Sequence, residues 1–323
     1  MATTVQPTGQ LNQVFSYTRQ WANEPAINAK YTDDKLYPVV RANYRELLGE
    51  MLRLSDIPFV VQYSFAVTND TNTYLMPPNI GTIYRLGIID PVTGRFSVEL
   101  FNMSRKNPFG SQFQFDGTNL TFNPIWTGGS VTMTLEYIQN GDVEMCLVTQ
   151  ANPGAVTGND ASHLVLFETA GLVPTVGYFD YRPNAYYGSM VRLLGASHNP
   201  TGYKFWPTQT RPIINYTPTY TTGPRIEVRP VFDFNPATVP SITSLTYEIV
   251  PEGLGAVTPV LGLRSAIFLH RTEGNLKRVS LLTDEYKQKL RDIRLGIANM
   301  DAIRGGHWES DATYRIEDLW NIL

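Results

Sequence analysis

The sequence predicts an α+β protein: a helical bundle built from the N-terminal and C-terminal segments, with a large antiparallel, sandwich-like β insertion between them. Three observations carry this. A long amphipathic run lies near the C-terminus, runs of the same kind lie just upstream of it and at the other end of the chain, and the residues between read almost entirely as strands.

The long run is SLLTDEYKQKLRDIRLGIANMDAIRGG, Ser280 to Gly306. Leu282, Tyr286, Leu290, Ile293, Ile297 and Met300 recur at steps of three or four, so one helical stripe is apolar while Lys287, Lys289, Arg291, Asp292 and Arg294 face away. Thr283 is the expected N-cap, with Asp284 and Glu285 in the first turn, and Gly305-Gly306 ends the run. Upstream, Thr258-Pro259 has the form of a cap followed by proline and opens a helix through Leu261, Leu263, Ala266, Ile267, Leu269 and His270 to a stop at Gly274-Asn275. At the other end, Leu36, Val40, Tyr44, Leu47, Leu48, Met51 and Leu52 share a face. Pro38 is expected in the first turn there, capped by Asp33 or Asp34. Apolar stripes must be buried, so Tyr44, Leu47, Leu48 and Met51, with the stripe from Leu282 to Met300, are expected in the bundle core or between subunits.

The division that follows is an N-terminal arm (1–31), a helical domain (32–54 and 258–306), a β-rich insertion (55–257) and a C-terminal tail (307–323). The arm is polar with isolated aromatics at Phe15, Tyr17 and Trp21, and is expected to be extended or partly helical and to become ordered by lying on a neighbour, Trp21 anchoring it; the alternative is that it tucks under its own domain. In the insertion, Ile57 to Thr68 reads as a strand, Pro77-Pro78 separates two strand-like pieces, and Asp90 to Gly94 is a turn before an alternating strand. Two hairpins are expected, across Asp116-Gly117 and across Asn140-Gly141-Asp142, the second carrying the stronger signal because Asn-Gly supplies positive φ. Further strands lie in HLVLFETAGLVPTVGYF, MVRLLGAS, IEVRPVFDF and SLTYEIV. No repeat period emerges, which argues against a solenoid or propeller and for a sandwich or two small β units.

Composition narrows the function. The chain has 323 residues, 42% hydrophobic and only 17% charged, with 18 Tyr and 15 Phe. A net charge of -3 does not suit a dedicated nucleic-acid binder. Its one cysteine, Cys146, excludes an internal disulfide and reads as a buried structural thiol. No apolar run approaches the ~18 residues that span a bilayer, and the opening residues do not read as a signal peptide. The four histidines, His163, His198, His270 and His307, lack metal-ligand spacing, and His270 is expected to cap a helix end. There is no GxSxG, Walker loop or GxGxxG. No catalytic, cofactor or metal site is therefore expected. The segment YFDYRPNAYYGS, with Tyr178, Tyr181, Arg182, Tyr186 and Tyr187, is expected to be an interface patch, or else a sugar-stacking surface.

The N-terminal YRELLGEMLRL, the Pro-Pro strand entry YLMPPNIGTIYRLGIID, the β insertion and the closing LRSAIFLHR and LTDEYKQKLRDIRLGIANM resemble tailed-phage head-to-tail connector proteins of the adaptor, or tail-tubular A, type. That resemblance covers about a third of the chain, and the β part is larger than in the simplest members. It implies a homododecameric ring around the DNA path in the virion, assembled in the host cytoplasm, with portal above, tail nozzle or fibres below, and no catalysis or membrane. Arg264, Lys277 and Arg278 are candidate channel or interface charges, with a solvated helix face the commoner explanation. The tail, with Tyr314, Ile316, Leu319, Trp320, Ile322 and Leu323, is too apolar for a free terminus and is expected to insert into a neighbour, the portal on this resemblance, or to dock on its own bundle. The other classes left open are a tail-associated carbohydrate- or receptor-binding β-sandwich and a capsid-decoration protein.

Overall fold

The computed structural model describes residues 9–24, 30–52, 60–102, 112–123, 125–127, 129–141, 145–151, 158–166, 179–198, 209–219, 223–233 and 242–303. They form an α+β architecture. The helices are α1 (Gln10–Ala22), α2 (Asp33–Leu52), α3 (Leu254–Thr272) and α4 (Leu276–Ile303). Between α2 and α3 lie two separate sheets. The first holds β1 (Val60–Val67), β2 (Thr73–Leu75), β3 (Ile80–Ile89), β4 (Phe96–Asn102), β5 (Gln112–Phe115), β6 (Asn119–Asn123) and β7 (Val131–Gln139), in the order β1-β7-β3-β4-β5-β6-β2. The second holds β8 (Cys146–Ala151), β9 (His163–Val165), β10 (Met190–His198), β11 (Gln209–Thr217), β12 (Arg225–Val228) and β13 (Ile242–Val250), in the order β8-β13-β10-β11-β12-β9. Described pairings are antiparallel except β4 with β5. The first sheet curls towards closure: Phe65 on one edge strand and Tyr74 on the other bring their rings within 5.6 Å.

The expected turns at Asp90–Gly94 and Asp116-Gly117 form, with Gly94 at φ 66 and Gly117 at φ 97. The hairpin expected across Asn140-Gly141 does not. β7 already has β1 on one side and β3 on the other, so no edge is left for β8, which joins the second sheet beside β13. Asn140 instead donates its backbone N–H to Asn79, and Gly141 passes so close to α2 that a Cβ there would stand 2.7 Å from the Cα of Arg45. The turn-forming pair marks the crossing from one sheet to the other.

Helix starts also differ from the local signals. α4 begins at Leu276, where the Asn275 side chain accepts the Arg278 N–H, and the Thr283 hydroxyl donates to the Val279 carbonyl from inside the helix. α3 begins at Leu254 rather than at Thr258-Pro259, because burying Leu254 and Val257 favours one more turn. In α2 the Thr32 carbonyl accepts the Lys35 and Leu36 N–H groups, which puts Pro38 beyond the first turn.

The segment expected to be an arm contains α1, which is a core element of its own chain. Leu11, Val14 and Phe15 are buried with Leu36, Val40, Leu47 and Met51 of α2 and Leu254, Val257 and Leu261 of α3. The same cluster reaches Ile138, Met145 and Val250, so the bundle rests on both sheets. α1 and α3 run in the same direction, Gln10 beside Gly255 and Tyr17 beside Gly262. A Cβ on Gly262 would meet the Cβ of Tyr17 at 2.5 Å, so the crossing requires glycine. Trp21 and Ala22 pack on Leu263, Ala266, Ile267 and Leu282, the alternative in which the segment tucks under its own domain.

What holds α1 in place is a long-range cap. Its N-cap residue, Gly9, has no side chain to offer, and the carboxylate of Glu248 on β13 accepts the N–H groups of Gln10 (2.7 Å) and Leu11 (3.1 Å). Glu248 is 0% exposed and has Arg192 of the neighbouring strand 3.7 Å away. The positive end of a helix, two donors and a guanidinium together offset the desolvation of the carboxylate. Glu248→Ala is expected to lower the unfolding free energy by about 3 kcal/mol, and Glu248→Gln by less, because the amide oxygen still accepts. Urea denaturation followed by circular dichroism measures both.

Candidate functional site

The stripe residues converge on a seam between α2, α3 and α4. Tyr44, Leu47, Leu48, Met51, Leu282 and Leu290 are buried within the chain, while Tyr286 and Ile293 are half-buried against the same clusters. Ile297 and Met300 fall within α4, but their side chains lie outside the described residues. Of the two expectations for the stripe, packing inside one bundle accounts for the described positions.

Arg264 centres the polar side of this seam. Its guanidinium donates to Glu46 (2.6 Å), Glu50 (2.7 Å), the Tyr286 hydroxyl (2.7 Å) and Asn43 (3.3 Å), and stacks over the Tyr286 ring. Burial pushes the guanidinium pKa down, but the bonds to Glu50 and Glu46 outweigh that and raise it. The Tyr286 hydroxyl donates to Glu50 at 2.8 Å, and its pKa is pushed up to about 12 by burial and by that bond. Arg264, considered above as a channel charge, is therefore engaged by two carboxylates of its own chain; Lys277 is exposed and Arg278 half-buried.

The aromatic segment of the second unit is largely an internal joint. Tyr186 is 1% exposed and packs edge-on against Tyr216 at 4.8 Å, whose hydroxyl donates to the Asp180 carbonyl. Tyr187 meets Tyr63 of β1 edge-on at 4.8 Å, while its carbonyl accepts from Asn79 (2.7 Å) and Gln139 (2.8 Å). Gly188 sits over Val61. The segment thereby covers the flank of β1 and fastens the second sheet to the first. Arg182 turns back onto Asp180, Tyr181 is the one strongly exposed ring of the described set at 83%, and Tyr178 lies outside the described residues. An outward sugar-stacking platform built on Tyr186 and Tyr187 is not what these positions form.

One cluster has triad residue types. Ser162, His163 and Asp160 are mutually bonded, but Ser162 Oγ and both Asp160 oxygens meet the same imidazole nitrogen, Nδ1, at 3.0, 2.9 and 2.8 Å. A base needs one nitrogen for the nucleophile and the other for the orienting acid. Here Asp160 closes a turn by accepting the Ser162 and His163 N–H groups, while Nε2 faces Glu227 at 3.9 Å. His270 is buried, and in place of its ring it is its carbonyl that accepts at the helix end, from Asn275. Among the described residues no group of three or more His, Cys, Asp or Glu is placed to hold a metal ion, and no helix is long and apolar enough to cross a membrane.

The described surface does carry outward apolar side chains on the C-terminal helical hairpin: Phe268, Leu276, Leu281 and Leu295. Leu281 and Leu295 lie on the side of α4 opposite Leu282 and Leu290. The tail residues Tyr314, Ile316, Leu319, Trp320, Ile322 and Leu323 lie outside the described residues. Sequence reasoning missed the Glu248 cap and the Asn79 and Gln139 contacts. A lone acid in the apolar strand SLTYEIV was the available signal for the first, since a buried charge demands partners.

Tyr187→Ala is expected to cost about 2–4 kcal/mol, read as a lower urea midpoint. At Asp180, burial raises the carboxyl pKa, but the Arg182 bonds outweigh it, with a smaller contribution from Arg41, and hold it below the usual value. Its stabilising contribution is therefore present at neutral pH and lost as pH falls through the depressed pKa. Asp180→Asn should lower the melting temperature at neutral pH, and the gap from wild type should close below about pH 4. Comparison with protein-family models finds no match, and neither does comparison with curated proteins.

Proposed function

We propose that this chain is a structural subunit of a tailed-phage head-tail connector, a ring-forming adaptor that docks beneath the portal, surrounds the DNA path and receives the tail. The observation that carries this reading is the closure of helices from both chain ends, residues 10–52 and 254–303, into one bundle from which the two sheets are built out. A ring needs a rigid subunit with a heterologous pair of surfaces that closes after a fixed number of copies. The Arg264 seam and the Tyr187 joint favour the rigidity, and the outward Phe268, Leu276, Leu281 and Leu295 offer apolar area to a neighbour. DNA in such a ring slides past without base readout, which accords with a chain of net charge -3. The tail residues Tyr314 to Leu323 would engage the portal.

Negative-stain microscopy of the purified protein, alone and with a portal ring, tests the proposal. Twelve-fold rings with the bundle at the lumen are expected; trimers, or monomers at every concentration and with portal present, would overturn it. Deleting Glu317 to Leu323 should abolish docking to the portal with an unchanged melting temperature, and unchanged docking would remove the tail from the proposal.

A further inference from the structure

The outward side of α4 carries a pattern that its own chain leaves unanswered. Leu281, Asp284, Gln288, Arg291 and Leu295 follow at steps of three and four, so they form one stripe, turned away from Leu282 and Leu290 in the core. Leu281 is 59% and Leu295 57% exposed, and Asp284, Gln288 and Arg291 are exposed between them. On the flank of the stripe Lys289 pairs with Glu285 at 3.4 Å and lies over the Trp21 ring. Among the described residues Asp284, Gln288 and Arg291 have no hydrogen bond or ion pair. Asp284 and Arg291 are about 10 Å apart along the helix, too far to pair within it.

The order of these residues reads alike from both ends once charge is exchanged. From Leu281 onward it runs apolar, acid, amide, base, apolar; from Leu295 backward it runs apolar, base, amide, acid, apolar. A two-fold axis beside Gln288 and across the helix therefore brings Leu281 to the Leu295 of a second copy and Asp284 to its Arg291, twice over. With the helix axes about 8–10 Å apart, a carboxylate and a guanidinium reach each other. Parallel helices would set each aspartate against its own counterpart and each arginine likewise, so the charges select the antiparallel pair.

We infer that the outward face of α4 is a contact with a second copy of this chain, two-fold and antiparallel, with leucines at its ends and two aspartate–arginine pairs inside. The contact goes beyond the connector reading and does not rest on it. A two-fold contact is satisfied by two copies and cannot continue around a ring, so it holds free subunits in pairs. A contact between one pair of helices stays under the roughly 1,200 Å² that stable complexes bury, which makes the dimer reversible and concentration-dependent.

Sedimentation velocity of the full chain over a concentration series provides the test. The wild type should dimerise reversibly. Asp284→Arg and Arg291→Asp should each weaken the dimer at least about tenfold, because either one sets like charges together at two places, with circular dichroism and melting temperature unchanged. The double swap, Asp284→Arg with Arg291→Asp, should restore the wild-type affinity. So should an equal mixture of the two single variants, in which every arginine meets an aspartate of the other chain. A chain that stays monomeric at every concentration, or larger assemblies without a dimer, would overturn the inference, as would a dimer indifferent to the single substitutions or not rescued by the swap. Dimerisation that appears only after residues 307–323 are deleted would assign the face to the chain's own tail and overturn it too. Dimers that obey the swap in a protein that never forms rings would keep this inference and remove the connector reading, whereas rings without such dimers would do the reverse.

Discussion

A carboxylate sealed from water decides how the two ends of the polypeptide meet. Glu248 sits on a strand that leads directly into α3, and it accepts the N–H groups of Gln10 and Leu11 at the start of α1, more than two hundred residues away in sequence. An uncompensated charge at that depth would cost several kcal/mol, so the start of α1, together with Arg192, is held at the carboxylate. The remaining contacts follow from it. Gly262 admits Tyr17 at the crossing with α3, Arg19 reaches the Tyr31 carbonyl and the Asp33 carboxylate, and α2 is thereby set against the helices that close the chain.

Among the described residues the packing has one cluster for the bundle, one for each sheet and a satellite around Trp21. Small cores joined by polar contacts usually move against one another. Here the joints are buried. Gln139 and Asn79 both donate to the carbonyl of Tyr187, and Ile138, Met145 and Val250 lie under the helices as well as in or beside the sheets. Both sheets are therefore tied to the bundle through buried side chains and hydrogen bonds rather than through exposed polar contacts.

The sequence declared those features whose signal is local. The apolar stripe Tyr44, Leu47, Leu48 and Met51 and its counterpart Leu282 and Leu290 are read from spacing, and all six are buried. The turns at Gly94 and Gly117 are read from residues that tolerate positive φ. Features set by competition between distant segments were not legible. Asn140-Gly141 has hairpin chemistry, yet β7 has no free edge, so the chain crosses to the other sheet. Polar spacing in the first thirty residues left room for a partly helical arm but concealed that α1 is a core element, whose few apolar positions, Leu11, Val14 and Phe15, are buried. The aromatic segment around Tyr186 has the composition of an outer interface and serves an inner one, because the same chemistry suits both. For the candidate surfaces, sequence showed which helices bear them; that Arg264 is clamped rather than outward is a tertiary fact.

The pairing of α1 and α2 with α3 and α4 also governs how the protein is made. A ribosome delivers the first two helices about two hundred residues before their partners, roughly 10–40 s earlier at ordinary elongation rates. Throughout that delay the oily sides of α1 and α2 lack the surface that will cover them, and the nascent chain must fold its sheets first or be shielded by a chaperone. Synthesis halted anywhere before α3 and α4 emerge would leave a product without its closing half, whose uncovered apolar sides are what cellular proteolysis recognises and clears.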